Sequence, residues 1–260
     1  MTRKGSRLQD NCKIISISNQ KGGEGKTTVS ICLSDALSNS NKTLLIDWDP
    51  QSNTSLFFLD EVENSIFDCL PYKGKKTIPV EQVIQKVNPN LDILPCSIEL
   101  ANFTTPFERD DFDLLHDLLE PLREIYDYII IDCPPSLGLI LENAFLASDY
   151  VLIPIQTRAF SVQGIQDLDS TIKKIQRKAN PDLKLLGAVL SQFEGKKALS
   201  GLSNTIKDHF VVLDTILAKR ETIPQSQAKR KLLSEYDPAS MKMFIELAEE
   251  IKGKINVQEK

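Results

Sequence analysis

The sequence predicts an α/β protein built on a single doubly wound, mostly parallel sheet of about seven strands flanked by helices. Three observations predict it. Short apolar, β-rich runs recur along the chain, helical patterns alternate with them, and the first run ends in a Gly-rich turn that leads directly into a helix. The runs lie at 13–18, 43–46, 91–94, 128–132, 150–155, 185–190 and 211–216. Several are apolar at consecutive positions, the pattern of parallel strands buried on both faces. Helical patterns fall at 28–37, 80–87, 112–125, 139–147, 165–178 and 202–209, with one more at the end of the chain. A sheet wound in this way binds ligands at the carboxyl ends of its strands.

The chain has 260 residues, enough for one large domain, expected over 12–257 between a short basic arm (1–11) and a tail (258–260). Hydrophobic residues make up 41% and charged residues 26%, the balance of a globular protein with an apolar core. No apolar stretch reaches the ~18 residues of a membrane span, and no apolar segment follows the basic start as in a signal peptide. Cys12, Cys32, Cys69, Cys96 and Cys133 form no CxxC pair and are read as buried reduced thiols. With only His116 and His209 there is no zinc pattern. A net charge of −5 means that any nucleic-acid contact must come from a local basic patch.

The Gly-rich turn reads Asn19-Gln20-Lys21-Gly22-Gly23-Glu24-Gly25-Lys26-Thr27-Thr28. Gly22, Gly23 and Gly25 let the backbone curl so that several N–H groups point at a phosphate, and the following helix adds its positive end. Lys26 reaches the β- and γ-phosphates, and the Thr27 hydroxyl ligates Mg²⁺. The usual P-loop has a glycine where Gln20 stands, and an extra lysine, Lys21, follows it. Asp132 closes the apolar run Ile129-Ile130-Ile131, the place of a carboxylate that holds the metal through a water. Asp47 and Asp49 flank Trp48 at the end of the second run. Period 2 puts them on the same side, and carboxylates this close need a cation between them.

These stretches (the turn, Leu44-Leu45-Ile46-Asp47-Trp48-Asp49-Pro50-Gln51, and Tyr128 to Ser136) carry a resemblance to the ParA/MinD family of deviant-Walker P-loop ATPases, and within it to short, Soj-like ParA partition proteins. The resemblance spans nearly the whole chain. It implies the P-loop NTPase fold, with ATP and Mg²⁺ as ligands and slow basal ATP hydrolysis. It implies a cradle formed by Lys21, Gly22, Gly23, Glu24, Gly25, Lys26, Thr27 and Thr28, and a metal shell of Thr27, Asp47 and Asp132. Asp49 then positions the attacking water, and Lys21 crosses an ATP-dependent homodimer to the partner's phosphates. Lys21, Lys26 and Asp49 are the residues assigned to catalysis. Glu24 stands where the family has a small or apolar residue. A negative charge there weakens triphosphate binding unless its side chain points away. Trp48 replaces an aliphatic residue and is read as core.

The family places DNA-contacting basic residues near its last strand. Here Lys219, Arg220, Lys229, Arg230 and Lys231 occupy that region and are assigned to sequence-independent phosphate contacts, expected to be separate from the P-loop. A second basic cluster, Lys173, Lys174, Arg177 and Lys178 with Lys196 and Lys197, reads equally as a solvated face. The DNA-reading helix-turn-helix domain of longer ParA proteins is expected to be absent. The resemblance also implies a ParB-like partner and a cytoplasmic, nucleoid-associated protein. One alternative is a MinD-like positioning ATPase, which needs a basic amphipathic last helix. Glu246, Glu249 and Glu250 oppose it, so no stable membrane binding is expected. Others are an ATP-binding scaffold weakened by Glu24 and a small-molecule ligase on the same scaffold.

Overall fold

The computed structural model describes residues 12–72, 75–103, 113–156, 162–193 and 204–259. In chain order the strands are β1 (Lys13–Ile17), β2 (Thr43–Asp47), β3 (Gln85–Lys86), β4 (Leu91–Leu94), β5 (Tyr128–Asp132), β6 (Tyr150–Gln156), β7 (Lys184–Phe193) and β8 (Val212–Ala218). They form one eight-stranded sheet of order β3-β4-β2-β5-β1-β6-β7-β8. Every pairing is parallel except the short β3–β4 pair. The order turns at β1, with β5 on one side and β6 on the other, so a crevice opens beyond the carboxyl ends of these strands.

The helices are α1 (Lys26–Ser38), α2 (Asn53–Phe58), α3 (Ile66–Cys69), α4 (Leu114–Leu119), α5 (Leu139–Ala147), α6 (Val162–Lys178), α7 (Asn204–His209), α8 (Thr222–Ala228), α9 (Leu233–Tyr236) and α10 (Pro238–Gln258). Alternation along the strands separates two cores. On one face Ile14, Ile129, Ile131 and Ile153 meet Leu115 of α4, Phe145 of α5 and Leu168 of α6. On the other face Ile15, Ile17, Ile130 and Leu152 meet Leu33 of α1 and Phe244, Leu247 and Ile251 of α10. The last helix therefore spends its apolar stripe on the core, as expected from its sequence. Its start is fixed by Asp237, whose carboxylate accepts from the amides of Ala239 and Ser240 at 3.2 Å each, with Pro238 at the first helical position. Among the described residues no helix is long and apolar enough to cross a membrane. All the cysteines are free and buried, as predicted.

The amino ends of the central strands are stitched together. The Arg123 guanidinium donates twice to Asp149, at 3.0 Å each, and Asp149 also accepts from the amide of Ile14 at 2.8 Å. The Tyr150 hydroxyl donates to Glu259 at 3.2 Å, and Lys184 Nζ donates to the carbonyl of Gln258 at 2.6 Å.

Among the described residues the sheet has eight strands, in keeping with the about seven expected, and the added one is the exposed edge strand of Gln85 and Lys86. Two expectations need correction. The segment 80–87 is not a helix: a 3₁₀ turn at Val80–Gln82 leads into β3. The helix expected over 112–125 is α4 followed by a 3₁₀ turn at Glu120–Glu124, where Pro121 removes an N–H that a continuing helix needs. Phe112 itself, Lys196 and Lys197 lie outside the described residues.

Candidate active site

The site begins with the turn between β1 and α1. Gly23 and Gly25 have φ of +81° and +90°, conformations that L side chains rarely adopt, and Gly25 caps α1. A Cβ on Gly25 would lie 3.3 Å from the Ser191 hydroxyl, so the loop also needs glycine for its close approach to the end of β7. Gly22 has open space around its Cα. Lys26 is buried at 7% exposure and donates its Nζ to the carbonyl of Lys21 at 3.1 Å. Burial pulls its pKa down, and the Asp132 carboxylate opposes that shift most.

Strand pairing sets the carboxylates. Ile17 pairs with Asp132, and Asp132 with Asp47, so the ends of β1, β5 and β2 lie side by side. Asp132 is 1% exposed and accepts from the hydroxyls of Thr27 at 2.8 Å, Ser30 at 3.0 Å and Thr54 at 2.7 Å. Burial pushes its carboxyl up, against those hydrogen bonds and the charge of Lys26. Asp47 is fully buried and accepts from the Ser55 amide at 2.8 Å, the Ser55 hydroxyl at 2.6 Å and the Asp49 amide at 3.2 Å. Burial first, and then the neighbouring Asp132, push it up to about 7. Two buried carboxylates on paired strands, with hydroxyls around them, make a set of hard oxygen donors that suits Mg²⁺. Among the described residues no group of three or more His, Cys, Asp or Glu side chains could hold a metal, so protein carboxylates alone do not complete a shell.

Asp49 lies past the strand, half-buried, and its side chain accepts from the Gln51 amide at 3.0 Å. The chain has left β2 by Trp48, so Asp49 lies outside the strand alternation that would place it on the same side as Asp47. Trp48 is fully buried, as read from the sequence. Its amide donates to the carbonyl of Asp132 at 3.0 Å and its indole to that of Ile140 at 2.7 Å.

Glu24 is 2% exposed, and its carboxylate is turned onto β6. It accepts from the Gln156 amide at 2.6 Å and sits 3.6 Å from Lys21 Nζ, whose side chain is otherwise half-exposed. Gln156 returns a bond from its side-chain amide to the carbonyl of Gly23, and the Ser191 hydroxyl donates to the carbonyl of Glu24 at 2.6 Å. Burial raises the Glu24 pKa, against the Gln156 amide and Lys21.

The basic residues near β8 do not form one free patch. Lys219 and Arg220 are exposed at the rim of a cleft of about 200 Å³ that also takes in Gly25, Thr28, Gln192 and Gln227, with an apolar wall that includes Leu217 and Phe244. Gln227 reaches the Thr28 hydroxyl at 2.8 Å. Lys229 lies over the Tyr236 ring, 4.9 Å from its centroid. Arg230 donates to the carbonyl of Phe57 at 3.1 Å and pairs with Asp60. Lys231 is exposed beside them. The expected separation of this cluster from the P-loop is therefore wrong: β8 and α8 border the loop directly. In the second basic cluster Lys173 pairs with Asp169 and Lys174 with Glu142, at 2.7 Å each, which suits a solvated face.

Sequence reasoning missed Ser30, Thr54, Ser55, Gln156, Ser191 and Gln227. Single Ser, Thr and Gln residues carry no signal until the fold brings them together. The non-glycine residues with positive φ among those described are Ser52, which caps α2, Gln192, which lines the cleft, and Arg230, which follows α8 and bonds to Phe57 of α2.

Residues 12–185 match a family described as AAA domain. The chain is similar to the sporulation initiation inhibitor protein Soj of Bacillus subtilis, at 35% identity over 92% of this chain and 98% of Soj. It is similar to the chromosome partitioning protein ParA of Caulobacter vibrioides, at 31% identity over 92% and 93% of the two chains. Among solved structures, a plasmid partition protein of Borrelia burgdorferi bound to AMPPNP superposes with a TM-score of 0.75 at 30% identity, covering 95% of this chain and 99% of that one. With its phosphate loop, paired strand-end carboxylates and matches that run nearly end to end, the chain belongs to the ParA/MinD family of deviant-Walker P-loop ATPases.

Proposed function

We propose that the protein is a DNA-partition ATPase that hydrolyses ATP with Mg²⁺. The observation that carries this reading is the hydrogen bond of 2.8 Å between Thr27 and Asp132, which brings the loop hydroxyl and the strand-end carboxylate to one point beside buried Lys26. In a phosphoryl-transfer site those groups belong together around the β- and γ-phosphates. Gly22 to Thr28 bind the phosphates through loop amides and the amino end of α1, and Lys26 leaves the Lys21 carbonyl to neutralise them. Thr27 and Asp132, with Asp47 behind them, hold the cation. Mg²⁺ supplies charge for the phosphates and geometry for the transfer. Asp49 orients the attacking water once it turns from the Gln51 amide. The cleft beside Gly25 and Thr28 accepts the nucleoside, with its apolar wall against the base.

Lys21 engages the phosphates held by a second copy, so ATP drives dimerisation. The dimer presents Lys219, Arg220 and Lys231 twice, joined by Lys229 and Arg230 once they leave Tyr236 and Asp60, and binds DNA of any sequence as a nucleoid-associated, cytoplasmic protein. A ParB-like partner stimulates a slow basal hydrolysis and resets the cycle. The MinD-like alternative loses support because the apolar face of α10 is occupied by the core. The test is sedimentation of the protein with ATP or ADP and a duplex DNA, alongside phosphate release. Dimerisation and DNA binding with ATP alone, and slow phosphate release, are expected. DNA binding that ignores the nucleotide, or no hydrolysis, overturns the reading.

A further inference from the structure

Glu24 is a buried carboxylate inside a phosphate loop, the place where a second negative charge is least welcome. Its surroundings explain its retention there. The carboxylate accepts from the Gln156 amide at 2.6 Å, and the Gly23 and Glu24 carbonyls are taken by the Gln156 side chain and, at 2.6 Å, by Ser191. The loop is thus fastened to the carboxyl ends of β6 and β7. The same carboxylate, with its side chain 3% exposed, lies 3.6 Å from the ammonium of Lys21, whose side chain is 47% exposed. Among the described residues the basic groups acting on it are Lys21 and Lys26 of its own loop, and its partners on β6 and β7 are amide and hydroxyl groups. Lys26 is committed to the Lys21 carbonyl at 3.1 Å, and among the described residues Lys21 is the ammonium paired with Glu24, at 3.6 Å.

We propose that Glu24 is a positioning residue that keeps Lys21 folded back onto its own loop and so raises the ATP concentration at which two copies associate. This rests on the partition-ATPase reading for the destination of Lys21, but not for the tether itself. For Lys21 to extend toward another subunit it must leave a carboxylate that water barely reaches. The departure strips a largely desolvated anion of its nearest cation, which is costly wherever solvent cannot replace the partner. Gln at position 24 keeps an oxygen for the Gln156 amide and removes the charge, so it separates the brace from the tether.

The test has two arms on the full chain. In the first, without nucleotide, the amines are labelled with limiting acetic anhydride and the rate at Lys21 is read by mass spectrometry against other exposed lysines. Glu24→Gln is expected to speed labelling of Lys21 about threefold or more and to leave the reference lysines alone. An unchanged Lys21 rate overturns the tether. In the second, sedimentation follows dimer formation against Mg·ATP concentration, and Glu24→Gln is expected to lower the midpoint about fivefold. Faster labelling with no dimer in either protein keeps the tether and removes the dimerisation reading. Faster labelling with an unmoved dimer midpoint removes the proposed control of association. Glu24→Val, which also loses the acceptor for Gln156, is expected to match Glu24→Gln in labelling, and a lower melting temperature for it reports the lost brace.

Discussion

Trp48 donates its indole N–H to the carbonyl of Ile140 at 2.7 Å, and this one bond joins the turn between Asp47 and Asp49 to the first turn of α5. The segment between Asp132 and Ile140 is therefore held at both ends by the same residue, since the Trp48 amide also reaches the Asp132 carbonyl. Trp48 thus ties the turn that carries Asp49 to both ends of the loop after β5. Replacing Trp48 by Phe keeps most of the apolar volume and removes the indole donor, at a stability cost of about 1 kcal/mol. ATP affinity is expected to stay within a factor of about two while hydrolysis slows, a split that single-turnover and binding measurements separate.

Lys26→Ala removes the buried cation of the cradle. A hydrogen bond to a charged group is worth about 1.5–3 kcal/mol, so Mg·ATP affinity is expected to fall at least about tenfold. Calorimetry reads this directly, and wild-type affinity in the variant would show that the phosphates sit elsewhere.

Asp49→Ala is expected to bind ATP as the wild type does and to hydrolyse it at a small fraction of the rate, because the water is misplaced while the phosphate contacts survive. The variant then accumulates as an ATP-bound dimer in sedimentation. Unchanged phosphate release would remove Asp49 from the water-positioning role.

The pH dependence of stability without nucleotide follows from Asp47. Its folded-state pKa is pushed up to about 7, well above that of an exposed aspartate. Between roughly pH 4 and pH 7 the unfolded chain gives up this proton while the folded chain keeps it, so unfolding free energy falls as pH rises through that window and levels off above it. Asp35 and Asp132 are shifted the same way by burial. Asp47→Asn is expected to flatten the slope, to raise the apo melting temperature at pH 8, and to lose part of the stabilisation that Mg·ATP gives. Denaturant titrations at pH 5.5 and pH 8 check the first two, and melting with and without Mg·ATP checks the third.

For the DNA surface, Lys231→Glu is the clean variant, because Lys231 is exposed while Arg220 borders the cleft with Gly25 and Thr28. It is expected to weaken ATP-dependent DNA binding and to reduce its salt slope by about one per lost contact, with nucleotide affinity unchanged. Arg220→Glu is expected to weaken both. Anisotropy titrations on two unrelated duplexes at several salt concentrations distinguish these outcomes, and full DNA affinity in both variants would place the surface elsewhere.

The central strands were legible because runs such as Leu44-Leu45-Ile46 and Ile129-Ile130-Ile131 are buried on both faces. The phosphate loop was legible because its glycines and Lys26 have no cheaper explanation. The edge strand β3 was not, since Gln85 and Lys86 are exposed and polar and carry no hydrophobic signal. Val80, Val83, Ile84 and Val87 fall at helical spacing, yet Val80 and Val83 are buried under a 3₁₀ turn and the chain then pairs with Ile93. The same limit applies at the site. The bond from Gln156 to Glu24 spans 132 residues and that from Ser191 spans 167, so only the sheet order β1-β6-β7 brings them together. Without that order the sequence says only where the Glu24 side chain could point, and not that it ties together three parts of the chain.

The stitching at the amino ends of the strands, through Arg123 with Asp149 and Tyr150 with Glu259, gives the molecule a fixed base opposite a working rim. Amide exchange will show this as a gradient along each central strand. Protons near Ile14 and Val151 leave only when the whole domain opens, whereas those beyond Ile17 and Asp132 leave through local excursions of the loops. Bound nucleotide will slow exchange at the base as well as at the rim, because opening of the whole domain must release it, so the slowing at the base measures how far the nucleotide stabilises the fold without any label on the chain.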